Sequence, residues 1–107
     1  MRGRKNISDT VDMMVVALCA DYERRRAAIS ERSVTHRTEM EYRYLNFKLF
    51  SAAEEIVGKA RAELMIREIG NRVGYAYSEL YDISEVSYKK KKQDVKSNIA
   101  KRLHLID

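Results

Sequence analysis

No proline occurs in this chain of 107 residues, and only four glycines do. Proline and glycine are the residues that end helices and shape turns, so a chain nearly without them favours long helices joined by short loops. Apolar residues recur at helical steps, and no alternating pattern of the kind that builds strands is present. The expectation is an all-α fold in a single helical domain spanning 1–107. It divides into a basic arm at 1–7, a long N-terminal helical hairpin at 8–57 and a helix-turn-helix-like part at 59–105. Hydrophobic residues make up 45% and charged residues 35%, a globular rather than a disordered composition. One domain of this length buries one modest core.

The first helix is expected to begin after a cap at Ser8 or Asp9, with Asp9 and Asp12 favoured near its positive end. Val11, Met14, Val15, Leu18, Tyr22 and Ile29 follow at steps of three, four and seven. Met13, Val16, Ala17 and Ala20 fall on the other sides, so the first half of this helix is apolar nearly all round. Such a segment is central in a core or shared between subunits. The reading taken here is a homodimer, with Met14, Val15, Leu18 and Tyr22 as its oligomerisation residues. The helix weakens around residues 30–35. Thr38-Glu39-Met40-Glu41 fits a capping box. It opens a second helix to Val57, with Tyr42, Leu45, Leu49, Ala52, Ala53 and Ile56 inward, Tyr44 and Phe47 on the flank, and Gly58 as its stop. A third helix is expected from Lys59 to Val73. A short fourth helix in YAYSELYD would bury Ala76, Tyr77 and Leu80. Ser84 caps a last helix that runs to Leu103.

Chemistry of the catalytic kind has little support. His36 and His104 stand alone, without ligands at metal spacing. GKARAE lacks the glycines and the Lys-Ser/Thr end of a phosphate loop. The expectation is a non-enzyme with no cofactor and no metal. The single Cys19 excludes an internal disulfide and suits a reducing cytosol. The apolar run from Met13 to Ala20 is too short to cross a membrane and is a poor signal peptide, so a cytoplasmic protein is expected.

Charge supplies the positive signal. The net charge is +5 and the sequence pI is near 9.4, a balance that makes nucleic acid the first partner to consider. The excess sits at the two ends. Residues 86–102 hold seven Lys or Arg against the single acid Asp94, and Arg2, Arg4 and Lys5 lie at the N-terminal tip. Four of the basic residues are consecutive, Lys89 to Lys92. At about 100° per residue they sweep most of the way round a helix. Ser84, Tyr88, Val95, Ile99, Leu103 and Ile106 form the inward seam, with Lys92 at its edge, where its stem can lie on the core while its amine reaches out. The opposite face reads Lys90, Gln93, Ser97 and Lys101, flanked by Ser87, Lys89 and Lys96. Gln suits a base edge, Ser a base or phosphate, and Lys a phosphate or guanine.

A short helix, a turn at Tyr81-Asp82-Ile83, and Ser84-Glu85-Val86-Ser87-Tyr88 opening a basic helix give the order of a helix-turn-helix. The stretch from Ser78 to Leu103 resembles the region-4-like DNA-binding end of sigma factors. It is most similar to small transcriptional regulators carried by phages and mobile elements of Gram-positive bacteria. Leu80, Ile83, Ser84, Ser87 and Tyr88 hold that pattern's places, while Tyr81-Asp82 replaces its usual turn glycine. The resemblance covers roughly residues 64–105 and implies a sequence-specific regulator of double-stranded DNA. Its expected DNA-binding residues are Ser87, Lys89, Lys90, Gln93, Lys96, Ser97 and Lys101, with Arg2, Arg4 and Lys5 on the arm. The alternative is a small phage-type protein that inhibits a host nuclease or polymerase through the tyrosine cluster Tyr75, Tyr77, Tyr81 and Tyr88.

Overall fold

A computed structural model describes residues 7–80 and 82–106, so the expectations on Arg2, Arg4, Lys5 and Tyr81 lie outside the described residues. The described residues form an all-α fold. Its elements are α1 (Asp9–Ala20), α2 (Tyr22–Glu31), α3 (His36–Val57), α4 (Lys59–Gly70) and α5 (Glu85–Arg102), with a single 3-10 turn at Tyr75–Tyr77. The long α3 is the spine, and it packs on α2, α4 and α5, while α1 lies across α4 and α5. Alanines at the α3, α4 and α5 contacts (Ala52, Ala53, Ala62 and Ala100) are fully buried and let the backbones approach closely. Leu49, Met65, Ile66, Ile69, Tyr88, Val95 and Ile99 fill the space between them.

The first helix is not continuous. It breaks at Asp21, whose φ of −97° and ψ of 2° leave the helical region. Asp favours such breaks because its side chain competes for local hydrogen bonds; here it takes the Arg24 guanidinium. That pairing, ahead of the counteracting desolvation, holds the Asp21 carboxyl below its usual range. The carbonyls at the break find side-chain donors. Arg25 donates to the Leu18 carbonyl at 2.6 Å, and Asn46 donates to the Tyr22 carbonyl at 3.2 Å. Arg25 also donates to the Asn46 side chain at 2.6 Å. Arg25 is 2% exposed, and burial pushes its pKa down. The charged run ERRRAA thus contains one arginine that belongs to the interior.

The break also lies where α4 touches α1. A Cβ on Gly70 would sit 2.5 Å from the Ala20 nitrogen and 2.7 Å from the Cys19 carbonyl carbon. Only glycine admits that approach. Gly58, expected as the stop of α3, has φ of +88° and joins α3 to α4 directly, a conformation that favours glycine.

Four expectations need correction. The cap of α3 is Thr35, three residues before Thr38; its Oγ1 accepts from the Thr38 N–H at 3.2 Å. The third helix ends at Gly70 rather than Val73, because Arg72 turns left-handed at φ 55° and Val73 N–H donates back to the Glu68 carbonyl at 3.0 Å. That 6→1 closure is a Schellman stop with arginine at the left-handed position. The short fourth helix is only the 3-10 turn: of the three residues expected inside, Ala76 and Tyr77 are exposed and Leu80 is buried. Helical bonding there loses to Glu68, which accepts from Ser78 Oγ at 2.7 Å and from Glu79 N–H at 2.8 Å. Lastly, the α1 seam faces its own core. Val15 and Tyr22 are buried and Leu18 is half-buried, leaving only Met14 of the four exposed. Val15, Leu18 and Tyr22 are thus taken up by the chain's own core.

Candidate nucleic-acid interface

The basic helix α5 is locked to the body on one side. Ser84 caps it, accepting from the Ser87 N–H at 3.1 Å. Tyr88 donates its hydroxyl to the buried Glu68 carboxylate at 2.8 Å, and its ring lies 5.6 Å from that of Tyr75. Burial, and then the Glu68 bond, push the Tyr88 phenol up to about 12. Tyr75 in turn donates to the Ile83 carbonyl at 2.7 Å, which fixes the entry to the helix. At the far end, Asn98 donates to the Ala52 carbonyl at 3.1 Å and to Glu55 at 2.6 Å, and Arg102 donates to Ser51 at 2.8 Å and to Glu55 at 2.7 Å. Glu55 reads from sequence as a solvated acid, but its hydrogen bonds from Asn98 and Arg102 tie α3 to α5 and hold its carboxyl below the usual range.

The lysines sort into three groups. Lys89 and Lys90 project outward, their side chains 68% and 75% exposed, and among the described residues they pair with acids on their own helix, Glu85 at 2.9 Å and Asp94 at 3.1 Å. Lys92 lies along the core edge: its amine donates to the Val73 carbonyl and stands 5.5 Å from the Tyr88 ring centre. Burial, then the Lys96 ammonium, hold the Lys92 pKa below its ordinary value, while Glu68 and Asp12 act the other way. Lys96 is largely covered, at 15%, and bonds to Asp12 of α1 at 3.1 Å.

The expected outer face therefore divides lengthwise. In the first turns Val86, Lys89 and Lys90 are exposed and Ser87 is half-buried. Further along, the same side is covered, and α1 reaches it through Asp12 on Lys96. Gln93 is half-buried with Nε2 enclosed, and Ser97 is 6% exposed with Oγ enclosed. Gln93 can present at most its edge, and Ser97 and Lys96 are withdrawn from any partner. Lys101 emerges again at the end of the helix. The angular pattern alone could not reveal this, because it counts one buried seam and α5 packs against two neighbours, α3 and α1.

The expected helix-turn-helix lacks its first helix, which is only the 3-10 turn at Tyr75–Tyr77, and α4 does not stand in for it. The motif joins its helices by a turn of three or four residues, and here residues 71–84 intervene. The exposed basic face is thus the N-terminal half of one well-anchored helix. It borders a shallow groove against α3 of mixed charge, in which Lys90 and Lys91 stand with Glu55 and Asp94 beside Ile56 and Val86. No helix among the described residues is long and apolar enough to cross a membrane. Comparison with known proteins finds no matching family model, no similar curated protein and no similar solved structure.

Proposed function

We propose that this chain binds double-stranded DNA as a transcriptional regulator of phage or mobile-element type, with the first turns of α5 at the major groove. The observation that carries the reading is the pair Lys89 and Lys90, presented outward from a helix whose opposite side is fixed in the core. Their surface ion pairs with Glu85 and Asp94 are worth little in water, so a phosphate can replace the carboxylate. A recognition helix makes its base contacts with its N-terminal residues, and that is the end of α5 left open. In the sequence, Arg2, Arg4 and Lys5 add basic charge just ahead of α1, which is itself bonded to α5 through Asp12 and Lys96.

The test is a salt titration of binding to random-sequence duplex DNA. With about five phosphates contacted, the logarithm of affinity falls against the logarithm of salt with a slope near −4 to −5. Lys89→Glu with Lys90→Glu should shallow that slope by about two and leave the helix content unchanged. No binding at low salt, or an unchanged slope in the double variant, refutes the reading. Lys96 is left alone in this test because a glutamate there would face Asp12. A second reading, inhibition of a host nuclease or polymerase, is favoured by two large side chains left in water at the start of α5 and in the turn before it. These are Val86 and Tyr77, 79% and 86% exposed. In that case Val86→Glu abolishes capture of the host enzyme, and the lysine variants do not.

A further inference from the structure

The α1 seam is spent on the core, but another apolar stripe is not. Met40, Tyr44 and Phe47 on α3 are 52%, 53% and 66% exposed. Their spacing of four and three residues puts them within about 60° of arc, on the side of α3 away from α4. We propose that this stripe is a self-complementary interface, through which a second copy of the chain packs its own α3 antiparallel to the first.

The register follows from the sequence of the stripe. A two-fold axis between Tyr44 and Leu45 sets residue i opposite residue 89 minus i. Along the contact the side chains then alternate: Met40, the partner's Phe47, Tyr44, the partner's Tyr44, Phe47, the partner's Met40. Each aromatic ring enters a gap in the opposite stripe, and each methionine sulfur meets a ring edge, a favourable contact. The flanks agree in charge. The same axis places Glu41 opposite the partner's Lys48, and it does so twice. Lys48 already stands 5.2 Å from the Tyr44 ring centre, so its ammonium lies beside the stripe. Among the described residues, Glu41 has an exposed pair with Arg37, at 4.0 Å, to give up.

The area is sufficient for a modest dimer. The three side chains offer on the order of 300 Å² per copy, within the range of the largest apolar patch on a monomer. With the stems of Arg37, Glu41 and Lys48 added, both copies together bury on the order of 1,000 Å², at the low end for a specific interface. The expected association is micromolar. This inference stands independently of DNA binding. It also supplies the dimer that a two-half-site regulator needs, on α3 instead of α1.

Sedimentation of the full chain, without DNA, from low micromolar to millimolar concentration is the test. The expected result is a monomer–dimer equilibrium. Phe47→Glu, and separately Tyr44→Lys, should weaken it at least tenfold, with circular dichroism confirming that each variant folds. Glu41→Lys and Lys48→Glu should each weaken it, and the two together should restore it to within about threefold of the unaltered chain. A monomer at all concentrations overturns the proposal and leaves the stripe to a foreign partner. A dimer indifferent to Phe47→Glu overturns it by placing the interface elsewhere. A charge swap that fails to restore association overturns the antiparallel register.

Discussion

Glu68 is the residue whose loss should reshape the molecule most. It is 4% exposed, and its carboxylate accepts three hydrogen bonds: Ser78 Oγ at 2.7 Å, the Tyr88 hydroxyl at 2.8 Å and the Glu79 N–H at 2.8 Å. These bonds hold the connection at residues 71–84 and the first turns of α5 to α4. In Glu68→Ala the three donors lose their acceptor in a buried or half-buried setting. A bond to a charged group contributes about 1.5–3 kcal/mol. Tyr88 keeps a weak alternative in the Val73 carbonyl at 3.4 Å, and Glu79 N–H can reach water. The expected loss is therefore about 4 kcal/mol, a large share of the 5–15 kcal/mol typical of a domain. Glu68→Gln keeps the shape but turns an NH2 toward a donor, and should cost about 2 kcal/mol. Urea unfolding followed by circular dichroism measures both. At about 4–8 °C per kcal/mol, the alanine variant should melt roughly 15–30 °C lower. In a double-mutant cycle, Tyr88→Phe should couple to Glu68→Gln by about 1 kcal/mol. Losses below about 1 kcal/mol for both Glu68 variants would refute the argument, since water would then be replacing the carboxylate without cost.

Three further outcomes follow from the packing. Gly70→Ala gains up to about 1 kcal/mol of helix propensity, but its Cβ meets the α1 backbone at 2.5 Å. Overpacking of that kind costs about 1–3 kcal/mol, so the variant should unfold at lower urea, and equal or greater stability would remove the close approach from the account. Arg32 ends α2 at φ 53°, where glycine is favoured, so Arg32→Gly should raise stability by about 0.5 kcal/mol; a loss on urea unfolding contradicts it. Burial pushes the Cys19 thiol up to about 12, and burial leads the rise of the Tyr88 phenol to about 12 and the upward shift of Tyr22. The folded chain then keeps protons that the unfolded chain releases, so stability is fully present below about pH 9 and falls as pH rises toward 12. Cys19 should react with a thiol reagent at pH 8 only at the rate of unfolding. Fast labelling, or stability that is flat to pH 11, would show the sites to be open.

Helix content was legible in the sequence because it depends on local properties: the missing prolines, the capping hydroxyls of Ser8 and Ser84, and the apolar steps along α3 and α5. The inward seam of α5 was legible for the same reason from Tyr88 to Ile106, including Lys92, whose stem lies on the core, while Ser84 at its start is exposed. The break at Asp21 was not, because it goes with α4 meeting α1 at Gly70 and with Arg25 and Asn46 donating to the Leu18 and Tyr22 carbonyls on either side of it. The loss of the short helix before α5 was not legible either, since Glu68, ten residues upstream of Ser78, takes the Ser78 hydroxyl and the Glu79 N–H, a backbone donor that a helix would use. A periodic pattern states which residues share a face, and it cannot state how many neighbours that face will meet. For α5, Tyr88, Val95 and Ile99 were set by the pattern, whereas the burial of Ser97 and the pairing of Lys96 with Asp12 were decided by where α1 came to rest. For α1 the apolar circumference was written in the chain, but only the tertiary structure decided that Val15, Val16 and Cys19 close on the chain's own core while Met13 and Met14 stay in water. It leaves Met40, Tyr44 and Phe47 of α3 as the apolar stripe in water, because a single small domain has room inside for one set of seams.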